Sequence, residues 1–523
     1  MSLTRRTFAG ATAALAAATI LPKSAPAQGT LRVRRSVDDL IAEGNPLIES
    51  YRRAVEVMMK RDVSDKTSWW FQANIHDLPD SEYAQHASLT KYWRQCPHKN
   101  YFFLSWHRAY LHFFERIVRK ASGDPDFALP YWRYDDPAHV SLPTAFLPDA
   151  SEIADPPKDP AAPSTRRNPL ARVKRHSYVE HRWIGLGDAV RESAATLALD
   201  HFAVDDKLDA LKAFGGVRTA SPLNAESAGG IESAPHNLVH RVMGLDGELG
   251  SPDTAARDPI FWLHHANIDR LWAKWTDLAT GRIPPVDDEV WMTTKFTFVD
   301  ENGEDRQITG ADVLDTQFQL GYRYDDDPVR GRRLDFPVAV ATAPGAAVSP
   351  KTRSTAAAAP AAPVVLARAG ATRLTQRESA VALAVNRFES RALGGRAMSA
   401  AGPVPQNLRV VLRNIIANEQ SPPYDVFLVL DAPGRTATVR LGGLDLFGGA
   451  GTRSGVSGHR EGIEIIAFDA TDALTMFESL PSFDMDKLRV SVVRRAFLLT
   501  TGQEFIPPDP DPPRIGSIEL IAA

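Results

Sequence analysis

The chain of 523 residues contains a single cysteine, Cys96. An intramolecular disulfide is excluded, so the fold must be held by packing or by a metal. There is no excess of positive charge: Lys+Arg number 60 against 64 Asp+Glu, a net of -4, and no segment carries a long Lys/Arg cluster. Nucleic acid is a poor partner on that ground. Long apolar runs are also scarce. Phe8–Leu21 is about 14 residues, short of the ~20 that a bilayer-spanning helix needs, and no later segment is longer. With 44% hydrophobic and 24% charged residues the composition is globular, and disorder over most of the length is excluded. At roughly 100–200 residues per domain, the length corresponds to two or three folded units.

The apolar run near the start has a context. Thr4-Arg5-Arg6-Thr7-Phe8 precedes it and Ala25-Pro26-Ala27, with the small-x-small form of a cleavage site, follows it. Residues 1–27 resemble a twin-arginine export signal, which implies a periplasmic or secreted protein with no membrane anchor in the mature chain. Their removal takes away Arg5, Arg6 and Lys23 and moves the net charge from -4 to -7. That export route carries folded proteins, often with a cofactor already fitted, which directs attention to metal ligands.

Apolar residues recur at helical spacing over 36–62, from near Trp106, over 236–243 and over 256–278, with Pro/Asp/Ser-rich loops such as 135–170 between them. Residues 28–336 therefore read as a mainly helical domain with long loops. From 337 to 372 the chain is mostly Ala, Pro, Thr and Val, the composition of an extended linker. Beyond it, alternating runs such as Leu408–Leu412, Asp425–Leu430 and Leu488–Val493 are separated by Gly/Pro/Asp turns, so 373–523 read as an all-β sandwich.

Thirteen of the 14 histidines precede the linker. His236 and His240 are four apart, so on a helix both imidazoles reach one ion. His264 and His265 are adjacent within an apolar helical run, where an unpaired imidazole is costly. Neighbours on a helix point about 100° apart, so only one of the two can share that ion and the other needs a different partner. Upstream, His98 lies in a loop beside Pro97, His107 opens a helix, and His76 is the natural third member. Two groups of three imidazoles without paired cysteine suit copper, zinc or iron, and the absence of carboxylate favours copper over non-haem iron.

At these residues the sequence resembles the type 3 copper proteins: tyrosinases, catechol oxidases and molluscan hemocyanins. The first copper motif is matched by His98, Phe103, Trp106-His107-Arg108, Leu111 and Glu115, and the second by Asp258-Pro259, Phe261, His265 and Asp269. Phe127–Trp132 resembles the family's aromatic element, and Gly321–Asp325 the tyrosine motif that ends its catalytic domain. The resemblance implies a four-helix bundle holding two copper ions, copper A on His76, His98 and His107 and copper B on His236, His240 and His265. His264 is then a non-ligand, and His86 and His112 are structural or surface residues. The implied activity uses dioxygen to ortho-hydroxylate monophenols and to oxidise o-diphenols to o-quinones. The alternatives are an oxidase of o-diphenols only, an o-aminophenol oxidase, or a hemocyanin-like dioxygen carrier.

The same resemblance bears on three further places. Glu232 and Asn237 stand where tyrosinases that hydroxylate monophenols hold an ordered water near copper B; otherwise they are a solvated loop acid and a helix-surface amide. Cys96, two residues before His98, is placed to form a thioether to that imidazole, as in fungal tyrosinases, or is a buried inert thiol. The domain order is similar to plant-type polyphenol oxidases, whose C-terminal domain covers the active site in a latent form. In the glycine-flanked stretch 442–449, Leu446 and Phe447 then either occupy the phenol pocket or fill the sandwich's own core.

Overall fold

The computed structural model describes residues 31–522 apart from 155–165, 337–362, 387–406, 448–461 and positions 280, 335, 376, 419–420, 433, 482 and 510. The expected export signal and most of the expected linker lie outside the described residues. Among the described residues, no helix is long and apolar enough to cross a membrane.

The catalytic part is built on five helices and a strand pair: β1 (Arg32–Arg34), α1 (Leu47–Met59), α2 (Trp69–His76), α3 (Phe103–Ser122), α4 (Asn237–Gly244), α5 (Pro259–Leu278) and β2 (Tyr322–Tyr324). The helical spacing over 36–62 resolves into two helices, because Gly44 takes the left-handed region (φ +62) and Pro46 starts α1. α3 begins at Phe103, four residues before His107, and stops at Gly123 in the left-handed region. α5 starts where Asp258 accepts from the Ile260 N–H and Pro259 occupies the first turn. Arg175 grips that cap with two bonds of 2.8 and 2.6 Å, which fixes where α5 begins.

β1 and β2 pair in parallel, Arg32 with Tyr322 and Arg34 with Tyr324, so the two ends of the catalytic part meet. Asp269 on α5 lies beneath them. It accepts from Tyr322 (2.5 Å), Tyr324 (2.6 Å), Arg34 (3.3 Å) and, from α3, Arg108 (2.5 Å). Burial raises a carboxyl's pKa, but these guanidinium and hydroxyl partners outweigh it and hold Asp269 below its ordinary range. Four elements are thus tied to one buried carboxylate.

The C-terminal part contributes β3 (Val364–Ala369), β4 (Glu378–Ala382), β5 (Leu408–Ile416), β6 (Tyr424–Ala432), β7 (Arg435–Leu444), β8 (Ile463–Asp469), β9 (Leu488–Arg494) and β10 (Arg514–Ala522). One sheet runs Ala384–Val385, β3, β10, β5, β8, with Thr372–Arg373 beside β10, and the other runs β7, β6, β9, β4. Their facing side chains form a separate apolar core, capped by a short helix, Thr471–Glu478. The β region starts earlier than the composition implies. Val364-Val365-Leu366-Ala367-Arg368-Ala369 is a sandwich strand inside the stretch assigned to the linker: it pairs with β10 and buries Leu366, Ala367 and Ala369 despite the linker-like composition around it.

The sandwich lies against the catalytic part. Leu208 packs on Val411, Ile465, Ala467 and Ile521 of the outer face of the larger sheet. Arg409 pairs with Asp209 (2.6 Å), Arg440 with Glu192 (3.1 Å) and Lys212 with Asp469 (3.2 Å).

Candidate metal centre

α2 and the loop after it supply His76 and His98, and α3 supplies His107. α4 supplies His236 and His240 at its start and one turn on, and α5 supplies the His264-His265 pair. One donor atom from each of His76, Cys96, His98 and His107 falls within 4.8 Å of the others, as does one from each of His236, His240, His264 and His265. All eight residues are buried. The two groups abut: the His107 and His265 rings stack at 4.3 Å with an interplanar angle of 10°, and His98 lies 5.8 Å from His236. Phe103 and Phe261 fill the gaps, at 4.7 Å from His236 and 4.2 Å from His265.

Backbone carbonyls orient several of these rings. His76 Nδ1 faces Pro252 O at 3.1 Å, His107 Nδ1 faces Phe103 O at 2.8 Å, and His240 Nδ1 faces Leu249 O at 2.8 Å. His236 Nδ1 faces Asn237 Oδ1 at 2.9 Å. A carbonyl only accepts, so the ring proton sits on Nδ1 and the Nε2 lone pair turns inward. The Leu249 carbonyl arrives because Gly244 and Gly250 touch; a Cβ on Gly244 would lie 2.1 Å from Gly250 N. Nε2 of His236, His240, His264 and His265 is buried with no hydrogen-bond partner. Four orphaned lone pairs in the interior fit metal ions. Burial keeps the imidazoles neutral, pushing His76 and His236 down to about 3 despite the hydrogen bonds that oppose it.

His264 is brought to the second group as well, but its surroundings differ. Its Nδ1 lies 2.9 Å from the Tyr134 hydroxyl, itself buried. Tyr134 and the Pro252 and Leu249 carbonyls carried no signal in histidine spacing. Tyr134 lies two residues after the aromatic element ending at Trp132, which is the one sequence feature that points to it. His86 is half-buried beside Trp93 (5.5 Å), and His112 is partly buried next to Phe113 (5.2 Å); neither joins a cluster.

Glu232 is neither in a solvated loop nor exposed. It is 1% exposed, and both carboxylate oxygens accept from the Lys99 N–H at 2.7 and 2.9 Å. Burial pushes its carboxyl up to about 8, against that hydrogen bond and the Lys99 charge. Asn237 is buried too, with its amide oxygen on His236. Cys96 Sγ lies 3.3 Å from His98 Nδ1 and 3.4 Å from His107 Nε2, and burial raises its thiol pKa well above the ordinary value.

Leu446 and Phe447 divide between the two alternatives. Leu446 belongs to the sandwich core, whereas Phe447 leaves it and stacks on His240, ring centroids 4.1 Å apart and 11° from parallel. Arg241 donates to the Leu446 carbonyl and lies 5.4 Å from the Phe447 ring. The aromatic tip of the second domain therefore rests on the second imidazole cluster.

Residues 66–278 match the common central domain of tyrosinase, and residues 285–335 the polyphenol oxidase middle domain. Over 464 residues the chain is 32% identical to tyrosinase HcTyr1 of Hahella sp. (strain CCB-MM4), spanning 85% of this chain and 91% of that one. It is 31% identical over 314 residues to polyphenol oxidase A1 of Vicia faba, spanning 58% of this chain and 49% of that one. Among solved structures, latent apple tyrosinase is similar at a TM-score of 0.54 and 22% identity, covering 96% and 99% of the two chains. A latent aurone synthase is similar at 0.56 and 20%, covering 95% and 91%. These structural likenesses extend through the C-terminal sandwich.

Proposed function

We propose, for a chain that belongs to the tyrosinase and polyphenol oxidase family, that His76, His98 and His107 hold one of its two copper ions and His236, His240 and His265 the other. The enzyme ortho-hydroxylates monophenols and oxidises o-diphenols to o-quinones with dioxygen. The observation that carries the ligand assignment is the pair of touching, fully buried imidazole clusters, the second of which turns Nε2 atoms inward with no protein partner. Family membership makes the chain an enzyme, and a hemocyanin-like carrier is set aside on that basis. When bound, a copper pair activates dioxygen for transfer to, or oxidation of, a phenol.

The chain's own residues do the rest. Carbonyl oxygens fix His76, His107, His236 and His240 in the ligating tautomer, and the packed aromatic surroundings exclude water. A phenol with a pKa near 10 is neutral at pH 7, so hydroxylation needs a proton acceptor. Glu232 and Asn237, buried on the copper B side, hold the water that takes this proton. Cys96 is joined to the His98 ring by a thioether, formed with loss of two hydrogens to dioxygen, which limits movement of that ligand. The sandwich is a lid, with Phe447 standing where the phenol ring would lie, and residues 1–27 direct export.

The reading restricted to o-diphenols draws on a different observation. Both oxygens of Glu232 and the amide oxygen of Asn237 already have protein partners, which leaves less capacity to hold a water. Oxygen uptake by copper-loaded protein freed of the sandwich, with a monophenol and with its diphenol, separates the two. Uptake with both is expected, and Glu232→Gln is expected to lower the monophenol rate about a hundredfold while sparing the diphenol rate. Uptake with the diphenol alone assigns the enzyme to the catechol oxidases.

A further inference from the structure

Besides the Leu208 face, the sandwich meets the catalytic part at the Phe447 tip and at a hairpin in which Phe497 pairs with Phe505 and Leu498 with Glu504. In the hairpin the Thr500 N–H donates to the Trp183 carbonyl at 3.0 Å, and the Phe505 ring lies 4.8 Å from Tyr178 and 5.9 Å from His176. A cavity of about 650 Å³ reaches both contacts, since Arg241 and Phe505 line it. Its size is that of a small-molecule site, and such sites favour domain interfaces. Its two walls differ in kind. The catalytic wall consists of His176, Arg241, Leu245 and Asp246. Arg241 brings a buried guanidinium that donates to the Gly250 and Leu446 carbonyls, which carry no net charge. Asp246, just past the end of α4, is exposed and pairs with Lys174 only at 3.9 Å. His176 Nδ1 accepts from the Tyr178 N–H at 3.1 Å, so the neutral ring carries its proton on Nε2, as a donor. One wall thus holds a positive charge, a donor and a negative charge. The sandwich wall is apolar, made by Pro422, Phe505, Pro507 and Pro508, and its polar members are engaged, Asn418 with Asp509 (3.2 Å) and Asp511 with Arg373 (2.5 Å).

We propose that this cavity binds an α-amino acid with an aromatic side chain, its carboxylate toward Arg241 and His176, its ammonium toward Asp246 and its ring against Phe505 and the prolines. A carboxylate and an ammonium on one carbon match opposite charges on one wall, and a flat ring matches the other wall. A simple anion or cation satisfies one of those charges and faces the other. Because both parts supply lining residues, only the docked form offers the complete site. The ligand therefore strengthens docking by the factor 1 + [L]/Kd, which couples the sandwich to the supply of an amino acid. The site is independent of the copper ligand assignment.

L-Phenylalanine is a suitable probe because it has no hydroxyl to be oxidised. Calorimetric titration of copper-loaded, full-length protein should show one saturable site per chain with a Kd at or below about 1 mM. 3-Phenylpropionate lacks the ammonium, phenethylamine the carboxylate and L-alanine the ring, and each should bind at least tenfold more weakly. Asp246→Asn should weaken L-phenylalanine at least tenfold and change 3-phenylpropionate less than twofold, a split that loosened packing would not give. Docking is read in the same protein from hydrogen exchange of the Thr500 amide, which should slow about elevenfold at ten times Kd. Saturating azide, a copper ligand, should leave the affinity within twofold. Absence of saturable binding at ~10 mM overturns the proposal. Competition by azide, which puts the ligand at the metal pair, also overturns it, as do equal affinity for the three analogues and unchanged Thr500 exchange at saturation. None of these readouts involves turnover, so their failure leaves the reading of the copper site standing, and failure of that reading leaves this site standing.

Discussion

Deleting His265 removes an imidazole that meets no protein partner at either nitrogen, whereas deleting His264 removes one already committed to Tyr134. His107→Ala and His265→Ala are each expected to hold one copper per chain and to lose at least a hundredfold in diphenol turnover, with His264→Ala retaining two, as metal analysis beside oxygen uptake would show. A single ion cannot bridge dioxygen. Cys96 gives a second expectation at this scale. Its sulfur sits between two imidazoles at 3.3 and 3.4 Å, so the mature holoprotein should be lighter by two hydrogens and carry no alkylatable thiol after unfolding. Quantitative labelling of Cys96 in unfolded holoprotein would count against the bond. The histidines were legible because a metal demands specific residue types at specific spacings. Tyr134 and the carbonyls of Pro252 and Leu249 were not, since any residue offers a carbonyl and only the folded chain decides which one arrives.

Elements explain why the histidines converge. Arg175 clamps the Asp258 cap of α5, and Asp269, three turns along, gathers β1, α3 and β2. Asp269→Ala would leave Arg34 and Arg108 buried without their shared carboxylate. The expected cost is on the order of 3–5 kcal/mol, read as an earlier denaturant midpoint of the catalytic part, and a midpoint shift equivalent to under about 1 kcal/mol would show that the network is dispensable. Helix positions were readable from apolar spacing, and the α3, α4 and α5 boundaries fall within a few residues of it. The break between 42 and 47 followed from Gly44 and Pro46, which spacing alone spans. Strand β3 was hidden for the opposite reason, because Val and Ala between prolines look like linker until β10 pairs with them. Phe447 shows a further limit. Its glycine-flanked apolar loop was visible, but whether the side chain turns inward or outward depends on a surface 200 residues away in sequence.

In the assembled molecule the sandwich rests on the second imidazole cluster through Phe447. Cutting the chain near Lys351 or Arg353 and removing the fragment should raise phenol turnover at unchanged copper content, and Phe447→Ala should reproduce part of that rise in the intact chain. Equal turnover and Michaelis constant before and after cutting would assign the domain to stability instead. The contact also contains a titrating group. Asp445, next to Leu446, is buried and pushed up to about 7 by that burial, with Glu192 and Asp425 adding to the shift and Arg495 and Arg241 opposing it. Released into water it returns to about 3.9. A carboxyl whose pKa is raised on docking favours the docked form fully below pH ~4 and loses that contribution as pH rises to about 7, by up to tenfold per unit. The ratio of intact to trimmed activity should therefore climb between pH 5 and 7, and Asp445→Asn should flatten it. The topology of the sandwich has a consequence for synthesis. β10 lies in the middle of its sheet between β3 and β5, so the sandwich cannot assemble until β10 has left the ribosome. The catalytic part is complete once β2 has emerged, about 200 residues sooner, which at ~5–20 residues per second is roughly 10–40 s. During that interval every histidine of the two clusters is available to fold and bind metal with nothing stacked on His240, so the order of translation leaves a period of entry before Phe447 arrives.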